Sequence, residues 1–123
     1  MSCGDNSIVL GNSSHACTYL CGTVYATCLT ETSSLRYKCN IQDYSFDLDC
    51  IDKVRPVSYV TCSNSLSAVG YIAEEMNELY PEVVVKDNDN KPESINYARM
   101  VVILMEKVKD LQNQINILKE SLA

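Results

Sequence analysis

The chain has 123 residues, 46% of them apolar, and 10 Lys+Arg against 16 Asp+Glu leave a net charge of −6. That is enough apolar content to bury a core, and too little positive charge for non-specific binding to nucleic acid or an anionic membrane surface. The longest purely apolar run, residues 100–105, is far too short to span a bilayer, and one His with scattered carboxylates argues against a metalloenzyme.

Residues 1–32 read as a β-rich leader or stalk end. Met1, Ser2, Cys3, Gly4, Asp5 and Asn6 carry neither the charged nor the apolar region of a signal peptide, so none is expected. Three short apolar pieces follow: Ile8, Val9, Leu10; then Thr18, Tyr19, Leu20; then Val24, Tyr25, Ala26. Gly11-Asn12 and Cys21-Gly22 punctuate them as turns. Strands this short cannot bury a face alone, so the leader is read either as an intertwined multi-chain β-structure or as a segment without stable order.

All seven cysteines (Cys3, Cys17, Cys21, Cys28, Cys39, Cys50, Cys62) fall in the first 62 residues. An odd count without a secretory signal favours reduced thiols over a closed disulfide framework. Cys17, Cys21 and Cys28 beside His15 lack the close-paired knuckle of structural zinc sites, so no metal and no cofactor are expected.

Residues 33–62 are mixed. Leu35, Tyr37 and Cys39 alternate with Arg36 and Lys38 as in a short strand. Phe46, Leu48, Ile51 and Val54 fit one helical face, closed by Arg55-Pro56. Val57 to Thr61 reads as a strand. Residues 67–80 are expected as a helix capped by Ser67 and stopped by Pro81, with Val69, Ile72, Ala73, Met76, Leu79 and Tyr80 on its apolar face. Val83, Val84 and Val85 form a further strand, and Asp87-Asn88-Asp89-Asn90 a tight turn. Ile95 and Tyr97 lead into the last element.

From Tyr97 onward the pattern is one long helix. Val101, Leu104, Val108, Leu111, Ile115, Leu118 and Leu122 repeat at alternating spacings of three and four. With Val101 at position a, every d position is Leu, a heptad seam that predicts a coiled coil. The competing reading is an amphipathic helix packed on its own domain. Val and Ile at a with Leu at d favour two strands in isolated peptides, so this rule does not by itself select a trimer.

Reactive side chains are scarce. The group that stands out is Thr32-Ser33-Ser34-Leu35-Arg36-Tyr37-Lys38, where the composition changes. A serine hydroxyl becomes a good nucleophile when a base takes its proton, and a neutral lysine amine is an accepted base in Ser–Lys variants of the catalytic triad. Burial or a neighbouring cation favours the neutral amine, a part Arg36 can play.

The run Ser33-Ser34-Leu35-Arg36-Tyr37-Lys38-Cys39-Asn40-Ile41 resembles the start of the peptidase S74 family. This is the intramolecular chaperone auto-processing domain at the C-terminus of phage tail spikes, endosialidases and related fibre proteins. The family opens with a serine, an arginine three on and a lysine five on, followed by Asn-Ile or Asp-Ile. Further ordered likenesses are Val54-Arg55-Pro56-Val57, Gly70-Tyr71-Ile72-Ala73-Glu74-Glu75, Leu79-Tyr80-Pro81-Glu82-Val83-Val84 and Ser94-Ile95-Asn96-Tyr97, so the resemblance runs from 33 to about 120. This sequence departs from the family pattern at Ser34, where Asp is common, at Cys39, and at Glu74, where Gln is common.

The resemblance implies an α+β fold: a short β-stalk leader (1–32), a small mixed domain (33–97) and a C-terminal coiled-coil helix (98–123), intertwined as a homotrimer. It implies a chaperone that trimerises the β-rich stalk of its own polypeptide. The domain then frees itself by a single-turnover serine autoproteolysis at Thr32–Ser33. Ser33 is the nucleophile and Lys38 its base; Arg36 lends support, and Ser34 is a supporting group or a rival nucleophile. The implied setting is a viral fibre or spike precursor made in the host cytoplasm, with no nucleic-acid or membrane partner. Two alternatives stand beside it: the same fold as a non-cleaving trimeric coiled-coil tip, and an unrelated coiled-coil adaptor with a metal-binding Cys-rich leader.

Overall fold

The computed structural model describes residues 5–123. The chain divides into two units, Met1–Gln42 and Asp43–Ala123.

In the first unit every described residue is exposed. The strands expected at 8–10, 18–20 and 24–26 do not form: pieces this short cannot bury a face alone, and these residues are all exposed. The turns are where the glycines put them, with Gly11 and Gly22 at positive φ of 86° and 95°. His15 is a turn residue, its Nδ1 accepting the Asn12 N–H at 3.0 Å. Cys3 lies outside the described residues. The strand expected at Leu35, Tyr37 and Cys39 is instead a 3-10 helix, Leu35–Tyr37, because Ser34 caps it and no neighbouring strand competes.

The second unit carries the core. Its first element is a 3-10 helix, Leu48–Lys53, capped by the Asp47 side chain accepting the Asp49 N–H at 3.1 Å. Side chains three apart eclipse in such a helix, so Leu48, Ile51 and Val54 line one half-buried edge. Strand β1 (Val57–Val60) then pairs antiparallel with β2 (Ser67–Gly70). The single helix expected over 67–80 therefore splits: its first four residues are β2, and only Ala73–Leu79 is helix α1. Gly70 is the cause. A Cβ there would sit 2.6 Å from the Tyr97 hydroxyl, which accepts the Tyr71 N–H at 2.9 Å. The break leaves Val69 79% exposed rather than facing the core, and Ser67 caps nothing.

After α1, Pro81–Val83 makes one 3-10 turn, and β3 (Val84–Lys86) pairs antiparallel with β4 (Pro92–Ile95). The 87–90 turn joins them as expected, with Asp87 Oδ1 accepting the Asp89 and Lys91 N–H groups at 2.9 Å and Asn90 at φ 61°. Helix α2 (Met100–Leu122) follows, its first turn held by Asn96 Oδ1 accepting the Arg99 N–H at 3.0 Å. At 23 residues it is about 35 Å long. It is not apolar enough to cross a membrane, and no other helix among the described residues is either.

Met76, Tyr80, Val83 and Ile103 are the fully buried residues, ringed by Phe46, Leu48, Ile51, Tyr71, Leu79 and Met100. The Tyr80 hydroxyl donates to the Asp47 carbonyl at 2.6 Å, and burial first, then the Cys50 thiol, hold its proton well above the usual phenol range. Met76→Ala hollows out one of the most deeply buried positions of this small core. The expected cost is about 2–5 kcal/mol, or a fall of roughly 10 °C or more in the melting midpoint followed by circular dichroism. A fall below about 3 °C would show that Met76 is not the keystone.

Candidate functional site

A strand from Ser33 to Lys38 would separate the two side chains, since residues an odd number apart point to opposite faces. The 3-10 helix Leu35–Tyr37 does the reverse. Its bonds run from the Tyr37 N–H to the Ser34 carbonyl at 3.0 Å and from the Lys38 N–H to the Leu35 carbonyl at 3.1 Å. With the chain wound this way, Lys38 Nζ donates to Ser33 Oγ at 2.7 Å. That is within hydrogen-bond reach for proton transfer between a base and a nucleophile. An ammonium donates in this contact; a neutral amine at the same distance would accept the serine proton.

The remaining residues singled out by sequence sit around this pair in distinct ways. Ser34 Oγ accepts the Arg36 N–H at 3.4 Å, a long capping bond. The Arg36 guanidinium lies 4.8 Å from the centroid of the Tyr37 ring, a cation–π contact on an exposed aromatic. Arg36 therefore turns its charge to Tyr37. Asn40 closes the segment at φ 52°, a left-handed conformation that Asn adopts readily. Both Ser33 and Lys38 are exposed. The capping role of Ser34 escaped the sequence reading, although a serine just before a short apolar run is a recognised cap signal.

The comparison with known families matches residues 33–85 to peptidase S74, described as the chaperone of endosialidase. Residues 33–85 are thus similar to the S74 family. The match begins on the serine that Lys38 contacts, and it includes four of the five likenesses read in the sequence. The fifth, Ser94 to Tyr97, and helix α2 lie beyond the matched residues. No curated protein matches the chain.

Within 43–123, two of the segments that resemble S74 motifs are joined physically. Arg55, before β1, holds Glu75 of α1 by a forked pair, Nε to Oε1 at 3.0 Å and a terminal nitrogen to both oxygens at 2.8 and 3.0 Å. The pair is exposed, so it fixes geometry more than it stabilises, contributing at most about 1 kcal/mol. Beside it lies an open groove of about 690 Å³ lined by Tyr59, Tyr71, Tyr97, Glu74 and Glu93. Tyr71 and Tyr97 stack there with centroids 6.1 Å apart. No group of three or more His, Cys, Asp or Glu able to hold a metal occurs among the described residues.

The seven residues of the heptad seam are 45 to 86% exposed. Ile103 is 4% exposed, and it lies two residues from Val101, about 200° round the helix. Helix α2 thus meets its own domain through a face flanking the seam, whose Leu104 lines a small cavity with Met100, Ile103, Ile51, Val54 and Tyr80. Packing on its own domain was the competing reading of this helix; the residues that make the contact, Met100 and Ile103, were not singled out in the sequence. Intrahelical ion pairs Lys107–Asp110 at 3.5 Å and Lys109–Glu106 at 3.0 Å keep the flanks polar.

Proposed function

We propose that this chain is a homotrimeric intramolecular chaperone that helps a β-rich fibre of its own polypeptide to assemble and then cuts itself free between Thr32 and Ser33. The setting would be a viral fibre or spike precursor made in the host cytoplasm. The observation that carries the cleavage reading is the 2.7 Å contact between Lys38 Nζ and Ser33 Oγ at the first residue of the S74 match. The observation behind the trimer is the exposed seam on α2, together with a leader whose short apolar pieces lie exposed in the single chain.

The chemistry balances within the chain. Neutral Lys38 Nζ takes the Ser33 hydroxyl proton while Oγ attacks the Thr32 carbonyl carbon. The tetrahedral intermediate collapses by breaking the Thr32–Ser33 C–N bond, and the Ser33 nitrogen takes the proton back from Lys38. The product is an ester between the Thr32 acyl group and Ser33 Oγ. Water hydrolyses that ester, giving a Thr32 carboxylate and a fragment with a new amino terminus at Ser33. The substrate is the chain itself, so the reaction turns over once. Proximity favours it, since nucleophile and carbonyl are neighbours in sequence. Coupling to assembly follows from solvent: packing against a neighbouring copy takes water from the exposed pair, and desolvation favours the uncharged amine. A lone chain then stays intact until its neighbours arrive.

Mass spectrometry of the purified chain beside Ser33→Ala and Lys38→Ala tests the reading. The wild type should yield a fragment beginning at Ser33, and both substitutions should abolish it while leaving the assembled mass intact. A wild type that is trimeric and uncut would instead make the chain a non-cleaving fibre tip.

A further inference from the structure

We propose that Ser34 is the positioning residue of the cleavage pair: it caps the turn that carries Lys38 back to Ser33, and it does not compete as nucleophile. The inference rests on the self-cleavage reading above and names a part that reading leaves unassigned.

Geometry makes the turn indispensable. Five residues of extended chain would span about 17 Å and put the two side chains on opposite faces. The 3-10 helix Leu35–Tyr37 rises only about 2 Å per residue, and with it the Lys38 nitrogen reaches Ser33 Oγ at 2.7 Å. Three residues of 3-10 helix have little intrinsic stability, so something must hold them. Burial does not, because Leu35 is 74% and Tyr37 51% exposed. What holds the start of the turn is Ser34. It stands in extended backbone at φ −62°, ψ 145°, its carbonyl accepts the Tyr37 N–H at 3.0 Å, and its hydroxyl accepts the Arg36 N–H at 3.4 Å. The Tyr37 bond is the turn's own, but the Arg36 N–H is one that the turn cannot pair internally, and only the Ser34 side chain satisfies it.

The same bonds decide between the two neighbouring serines. The hydroxyl that Lys38 reaches is that of Ser33. The Ser34 hydroxyl is engaged with the backbone of its own turn. A capping side chain shapes the fraction of time the pair spends in register, so its loss should slow cleavage by a modest factor rather than abolish it.

The test follows cleavage over time by mass spectrometry in the full-length wild type, Ser34→Ala and Ser34→Asn. Asn caps as well as Ser and places no charge beside Lys38. Ser34→Ala should release the fragment beginning at Ser33 about fivefold more slowly, and Ser34→Asn should return the rate to within about twofold of wild type. Rescue by Asn is an outcome that a nucleophilic Ser34 forbids, since an amide cannot replace an attacking hydroxyl. A wild-type rate in Ser34→Ala, failure of Asn to rescue, or a fragment beginning at Ser34 would overturn the proposal. Amide exchange at Tyr37 and Lys38 gives a readout independent of cleavage. It should quicken in Ser34→Ala and revert in Ser34→Asn; unchanged exchange overturns the capping role. An uncut wild type with this exchange pattern would defeat the cleavage reading alone.

Discussion

Leu111→Asp should leave the protein monomeric in sedimentation at concentrations where the wild type should sediment as the proposed trimer. Leu111 occupies a d position in the middle of the seam and is 45% exposed in the single chain. In the proposed trimer it faces its two counterparts, and each chain then gains about 1 kcal/mol from burying the half of the leucine still exposed. Three chains lose that gain together, which weakens association by roughly two powers of ten. The carboxylate adds a further cost, because three like charges would meet in a place water cannot reach. Asn113→Asp adds the same charge two residues on, at an outward f position, and should leave the mass unchanged. Equal masses for wild type and Leu111→Asp would disprove the seam. The Lys38–Ser33 contact lies within one chain, yet its desolvation depends on neighbours, so the Leu111→Asp chain should also remain uncut.

The elements legible in the sequence were those whose pattern repeats long enough to be unambiguous. The 23 residues of α2 are the clearest case, followed by the β-branched run of β1 and the Asx turn at 87–90. Where the reading failed, a local or a distant contact outvoted the pattern. Residues 67–72 fit a helical wheel as well as 73–80 do. Tyr97, more than 25 residues away, occupies the space a side chain at Gly70 would need, and pairing with Val57–Val60 claims the backbone. Strand β4 went unread because Pro92 and Glu93 are poor strand formers, and it exists by pairing with β3. Ile103 was hidden inside the apolar run 100–105, where every position looks equally fit for a core.

The candidate site was legible for a different reason. Spacing alone says little about a serine and a lysine five residues apart; the ordered likenesses around them singled out the pair. The means by which the two side chains meet was not legible. Alternation of Leu35, Tyr37 and Cys39 pointed to a strand, which would have held Ser33 and Lys38 apart. A cap by Ser34, backed by two backbone bonds, reverses that outcome. The leader shows the same limit from the other side: its short apolar pieces are recognisable, yet they form no strands and stay exposed.

Lys38→Arg separates the two things a lysine can contribute to Ser33. Arginine keeps the positive charge and several N–H donors, and it is long enough to retain the hydrogen bond to Ser33 Oγ. What it cannot do is give up its proton in a protein, so it cannot take one from serine. If Lys38 acts as the base, Lys38→Arg should lose the fragment beginning at Ser33 by at least about a hundredfold, the lower end of what general-base catalysis contributes. The assembled mass should be unchanged, because neither residue lies on the seam. Lys38→Ala does not draw this distinction, since it removes the base and the hydrogen bond together. Cleavage by Lys38→Arg at the wild-type rate would mean that the cation serves only to hold the serine, leaving proton removal to another group. Ser33→Ala must be silent in the same assay, for a chain that is cut without its hydroxyl is being cut by something other than itself.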